Sequence, residues 1–309
     1  METNNIFEQA CLIQFRTSCW TGTKQIADAT MAQIANVDPN WLKGKKHLIH
    51  PENLAPVKTA IYKARKVLLN HALPFPIMGL TLVPKESIVR IDEMLQQAKF
   101  EFQREVDAFC AIYETACQEA AIYLGSQFST LDYPQDIQRK FRMDWRFVNL
   151  SIPDRASILP PHLYEAERQK FMSLMEESRE LAIVSLREEF SGIVTHLVQR
   201  LSENGDSEDK PKIIRNGIFT RFQEFMDNFA TRNIFADDEL SALVAQAKNC
   251  ISGLDSNTVK SNGWLKQSLA GEMDKLKIQI DASIETMPRR FIRFNAENGD
   301  HPVPAAHAA

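Results

Sequence analysis

The sequence predicts a mainly α protein: a small α+β head at the N-terminus, a long antiparallel helical hairpin, and C-terminal helices. Three observations carry this. Residues 85–128 and 161–201 each keep apolar side chains at helical spacing with no internal proline. At about 1.5 Å per residue each would run roughly 60 Å, against a mean helix of about 11–12 residues. The third is the mixed, turn-rich character of residues 1–83, where short strands are expected beside helices.

In the head, Leu12, Gln14, Arg16 and Ser18 alternate with Ile13, Phe15, Thr17 and Cys19, the period of a strand. Thr21-Gly22 makes a turn. A short helix is expected over residues 26–35, closed by Asp38-Pro39, and a turn-rich basic stretch follows from Trp41 to Pro51. Residues 53–71 place Leu54, Val57, Ile61, Ala64 and Leu68 on one stripe, the pattern of an amphipathic helix. Pro74 and Pro76 end it, and residues 77–83 read as a second strand stopped by Pro84.

Pro84 stands beside the start of the first long helix, a favourable place for proline. Ile88, Ile91, Leu95, Ala98 and Phe102 follow in coiled-coil-like spacing, resumed after one stutter by Val106, Phe109, Tyr113, Ala116 and Ala120. The second helix opens after Pro160-Pro161. It carries Phe171, Leu174, Leu181, Leu186, Phe190, Val194 and Leu197, with Glu176, Glu177, Glu180, Glu188 and Glu189 on its other face. Pairing these two helices over 84–205 is the simplest arrangement. It leaves more apolar seam than one partner helix covers, which predicts a homo-oligomer or a tight helical partner.

The connection, residues 129–160, is long and rich in proline, aspartate and aromatics, and connections of that length are often functional. Within it Arg139, Lys140, Arg142 and Arg146 alternate with Phe141, Met143, Trp145 and Phe147. It either folds back with Trp145 and Phe147 buried or forms an exposed tip for an acidic partner. Residues 202–209 form a polar linker. The C-terminal region, 210–294, holds a phenylalanine stripe (Phe219, Phe222, Phe225, Phe229), a helix capped by Asp237-Asp238, a last helix to Thr286, and a strand-like Pro288–Phe294 alternation. Residues 295–309 read as a disordered tail.

The formal charge is −4, which argues against a general polyanion binder, but it is unevenly spread. Residues 1–83 hold nine Lys/Arg against five Asp/Glu, and residues 162–209 hold five against eleven. The five cysteines form no C-x-x-C pair, as expected for reduced thiols. No basic leader or run of ~18 apolar residues is present, so the chain reads as cytoplasmic and not membrane-bound.

No phosphate-binding loop, dinucleotide fingerprint, zinc-protease motif or nucleophile elbow occurs. His47, His50 and His71 lack neighbouring Cys or paired carboxylates, so no metal and no cofactor is expected. The sequence predicts a non-enzymatic protein. Its candidate interaction residues are Trp20, Lys24, Lys43, Lys45 and Lys46 in the head and Arg139, Lys140, Arg142, Trp145 and Arg146 in the connection. If the head instead bound nucleic acid, Lys24, Lys43, Lys45, Lys46, Lys63, Arg65 and Lys66 would meet the phosphates.

Trp20-Thr21-Gly22-Thr23-Lys24, then Gly44-Lys45-Lys46-His47-Leu48-Ile49-His50-Pro51-Glu52-Asn53-Leu54, then Val83-Pro84 leading into a long helix resemble an uncharacterised bacterial and phage family known only as a domain of unknown function. The resemblance covers roughly Phe15 to Ala121. It departs at Leu73-Pro74-Phe75-Pro76, where a glycine-rich approach to the second strand would be expected. Members of that family are often encoded near MoxR-type AAA+ ATPases and von Willebrand factor A-domain proteins. The resemblance therefore implies a scaffold or adaptor acting with such partners.

Overall fold

A computed structural model describes residues 6–35, 38, 40–151, 159–202, 216–254, 259 and 262–286. Residues 203–209 of the linker, the 152–158 stretch of the connection, the terminal strand and the tail expected above lie outside these residues. In chain order the elements are α1 (Ile6–Gln9), β1 (Ala10–Ser18), β2 (Thr23–Gln25), α2 (Asp28–Ala35), β3 (Lys45–His47), α3 (Ala55–His71), β4 (Leu73–Pro74), β5 (Leu80–Pro84), α4 (Ile88–Leu124), β6 (Arg142–Val148), α5 (Pro161–Ser202), α6 (Asn216–Arg232), α7 (Asp238–Ile251) and α8 (Gly263–Glu285). The mainly helical class with an N-terminal antiparallel sheet stands. Among the described residues no helix is long and apolar enough to cross a membrane.

The sheet runs β4-β5-β1-β6, with every pair antiparallel. Leu12 lies opposite Leu82 and Val148, and Ile13 opposite Thr81 and Phe147. Because side chains alternate along a strand, this register sorts the sheet into two faces. Ala10, Leu12, Leu73, Leu82 and Val148 share one, packed against Leu186, Phe190, Val194, Phe222, Phe225 and Met273 of the later helices. Cys11, Ile13, Val83 and Trp145 share the other, packed against Leu68 of α3 and Ile91 and Leu95 of α4. The sheet is a middle layer between α3–α4 and α5–α8.

That layering corrects the expected hairpin. The long helices α4 and α5 take different partners: α4 lies along α3, and α5 along α8. The stripe predicted on α3 meets, through Leu54, Val57, Ile61 and Ala64, the α4 seam (Ala98, Phe102, Val106, Phe109) in one cluster. Only the C-terminal half of α5 is buried. Residues 161–177 are exposed except for the half-buried Tyr164, Phe171, Leu174 and Met175. A buried ion-pair knot holds that half of α5 to α7 and α8. Arg187 donates to both carboxylate oxygens of Asp237 at 2.8 and 2.9 Å, and to the Ser283 carbonyl at 2.8 Å.

The connection 129–160 is likewise not a plain link, since β6 within it supplies the outer partner of β1. The departure at Leu73-Pro74-Phe75-Pro76 opens with a short edge strand, Leu73–Pro74. Proline is tolerated there because an edge strand has one side without a ladder to feed.

Candidate interaction surface

The ten candidate residues separate into two places. The first is the β2–β3 ribbon. The chain leaves β1, and Gly22 turns at φ +67°, where a Cβ would lie 2.8 Å from Leu54 Cδ1 and 3.4 Å from Ile49 Cγ1. Only glycine fits both the angle and the approach. The Gly22 carbonyl accepts from Leu48 N–H at 2.8 Å, which brings the second motif against the first. Trp20 packs edge-on to Tyr113 at 5.8 Å between ring centroids and lies 6.3 Å from Phe109, both on α4.

The ribbon sets Lys24 directly opposite Lys46, and like charges so placed repel. Asp132, in the turn after α4, takes both: Lys24 pairs with Oδ1 and Lys46 with Oδ2 at 2.7 Å. Hydrogen bonds from Lys24 and then Lys46 hold the Asp132 carboxyl below the usual carboxylate range. Lys46 also donates to the Gln127 carbonyl, and the Tyr133 hydroxyl donates to the Leu48 carbonyl at 2.7 Å. Trp20, Lys24 and Lys46 therefore dock the ribbon on the turn that follows α4. Lys43 pairs with Asp28 at 2.8 Å, and Lys45 stands exposed.

The second place is the far end of the sheet. Register puts Gln14, Arg16 and Ser18 of β1 on the same face as Arg142, Asp144 and Arg146 of β6. Strand β5 accompanies β1 only as far as Gln14, opposite Leu80. Beyond it, residues 15–18 have no partner strand on that side among the described residues. An open groove of about 910 Å³ follows this edge, lined by residues 14–18 with Arg65, Arg142, Asp144, Trp145 and Arg146. Four arginines face one aspartate. Arg65 reaches in from α3 and donates to Thr17 Oγ1 at 2.9 Å, and Arg142 pairs with Asp144 at 3.1 Å. A hydrogen bond from Arg142, with Lys99 nearby, keeps the Asp144 carboxyl below its ordinary range.

Trp145 belongs to this strand but not to the open surface. Its Nε1 donates to Asp92 Oδ1 at 2.8 Å and Lys99 Nζ sits 5.5 Å from its ring centroid, so α4 holds it. Arg139 pairs with Asp136 at 2.8 Å; Lys140 is exposed and its carbonyl accepts from Ser18 Oγ at 3.0 Å. Of the expected tip, Arg142 and Arg146 thus reach the groove. Arg16 is the residue missed there, and Arg65 entered the sequence reading only as a phosphate contact. The shared alternation of Gln14-Arg16-Ser18 and Arg142-Asp144-Arg146 was the available signal. Among the described residues no group of three or more His, Cys, Asp or Glu is placed to hold a metal ion.

Residues 7–200 match a family described as a protein of unknown function, DUF3150. The chain belongs to the DUF3150 family. The matched stretch runs from α1 through nearly all of α5 and so includes both the ribbon and the groove, while α6, α7 and α8 lie beyond it. Comparison with curated proteins and with solved structures gives no match.

Proposed function

We propose that this chain is a non-enzymatic scaffold or adaptor that grips a protein partner in the arginine groove. The observation that carries the reading is the convergence of Arg16, Arg65, Arg142 and Arg146, from three separate elements, on one groove that includes the unpaired stretch of β1. Arginine recognises planar carboxylates with two parallel hydrogen bonds, which makes such a convergence a recognition surface for acidic chains. The exposed first half of α5 adds reach. The partner class, an AAA+ ATPase or an A-domain protein of a phage- or plasmid-encoded assembly, comes from the family resemblance, and an ATPase partner would supply the chemistry while this chain supplies recognition.

The nucleic-acid reading draws on seven head cations, of which Lys45, Lys63 and Lys66 stand exposed while three lysines are already engaged. Lys24 and Lys46 neutralise Asp132 and Lys43 neutralises Asp28, so phosphate would have to displace those carboxylates. The test is co-purification of the tagged chain with the AAA+ ATPase and the A-domain protein encoded beside it, with ATP and with a non-hydrolysable analogue. Capture of either supports the adaptor. Capture of neither, together with a low-salt mobility shift whose logarithmic salt slope is about 0.9 per phosphate contact, would replace it with the nucleic-acid reading.

A further inference from the structure

A strand presents its backbone N–H and C=O groups alternately to its two edges. Along residues 15–18 one edge is satisfied by β6, and the other faces the groove with no strand beside it. Bare edges of this kind are templates for another strand, and proteins commonly blunt them with a charge. Here four arginines outnumber the single carboxylate of Asp144, which Arg142 neutralises, and the positive charge comes from both sides of the edge. Arg16, Arg142 and Arg146 stand on one face of the sheet, while Arg65 approaches Thr17 on the other.

From this we infer that the groove takes an acidic, extended segment of a protein partner as an added strand beside residues 15–18. The inference rests on the adaptor reading and names what the adaptor recognises. At about 3.4 Å per residue the free edge admits four or five residues. Their side chains alternate between Arg16 and Arg146 on one face and Arg65 on the other, so carboxylates at consecutive positions both find a guanidinium. A second copy of this chain fits poorly, because pairing the same edge would bring Arg16 toward its own counterpart. A single-stranded nucleic acid fits poorly as well. Its bases need an open aromatic platform, whereas the two aromatics that line the groove, Phe15 and Trp145, are half-buried, packed against the core and, for Trp145, bonded to Asp92 beneath Lys99.

The experiment uses the full chain and a fluorescein-labelled peptide, Ser-Glu-Thr-Glu-Glu-Val-Glu-Thr-Ser, followed by anisotropy at low salt. Saturable binding is expected. Arg16→Glu combined with Arg146→Glu should weaken it at least about tenfold with the thermal melt unchanged. Should the double variant fail to fold, Arg146→Ala alone, at an exposed side chain with no ion pair among the described residues, should still weaken binding measurably. A peptide N-methylated at alternate residues should also lose binding, because strand addition needs its backbone donors. Equal binding by the N-methylated peptide overturns strand addition, as does equal binding by a peptide with Lys in place of Glu. Absence of saturable binding overturns the proposal outright, and so does stronger binding by a thymidine oligonucleotide of equal charge. If the ATPase or A-domain protein is captured equally by the Arg16→Glu, Arg146→Glu variant, the groove is not the grip, yet the adaptor reading stands. If the peptide binds as expected but neither protein is captured, the adaptor's partner class falls and the groove stands.

Discussion

Lys24 and Lys46 oppose each other across a three-residue ribbon, and the cost of that pairing is met by one carboxylate from a distant turn. Asp132 is therefore the residue on which the packing of the ribbon depends. Its folded-state carboxyl titrates below its unfolded value of about 3.9, because Lys24 and Lys46 bond the charged form. A carboxylate shifted this way contributes stability that is fully present above about pH 4 and is lost as pH falls toward the folded value. The wild-type melting temperature should fall steeply below about pH 4. Asp132→Asn should be less stable at neutral pH and show a flatter acid limb, which melting curves across that range measure. An acid limb identical in the two proteins would mean the pair adds nothing.

At the scale of elements, the helices were legible because a 3.5–3.6 period repeated over many turns is a strong signal, and α4 and α5 closely follow the spans it predicts. Their partners were not legible. Periodicity shows that a helix has an apolar stripe, not which other stripe fits it, and α3 and α8 proved the better complements. Strand β6 was half legible: its cations and apolar groups alternate visibly, but local alternation does not name the neighbouring strand or the register. The groove was hidden for the same reason, since Arg16, Arg65 and Arg146 become neighbours only once β1 and β6 pair and α3 docks. Within β6 the two aromatics now separate. Trp145→Ala removes a hydrogen bond to Asp92 and a ring packed on α4, and should cost up to the ~3–5 kcal/mol typical of a lost core aromatic. Phe147 is 40 % exposed, and Phe147→Ala should cost clearly less. Denaturant midpoints of the two variants check the order.

At the scale of the whole molecule, the sheet has no free apolar face. Leu12 and Ile13, neighbours in sequence and both fully buried, anchor opposite layers. The layer over Leu12 is completed by α6, α7 and α8, which lie beyond the residues matched to the family. This closure bears directly on association. The α4 seam that called for a second copy is covered inside the chain, by α3, by the sheet, and by Ile137, Phe141 and Met143 of the connection. What stays open near the end of α4 is Ile122, Tyr123 and Leu131, at 80, 88 and 92 % exposure. These three fall short of the ~800 Å² per partner that a stable interface buries, and the other exposed apolar side chains of α4, Val89, Phe100 and Ile112, stand about three turns apart along it. The chain should therefore scatter as a monomer of 35.2 kDa at every point of a dilution series. A dimer mass that persists on dilution would locate a larger interface, and Tyr123→Glu with Leu131→Glu would then report whether it runs through this end of α4 or along the exposed half of α5.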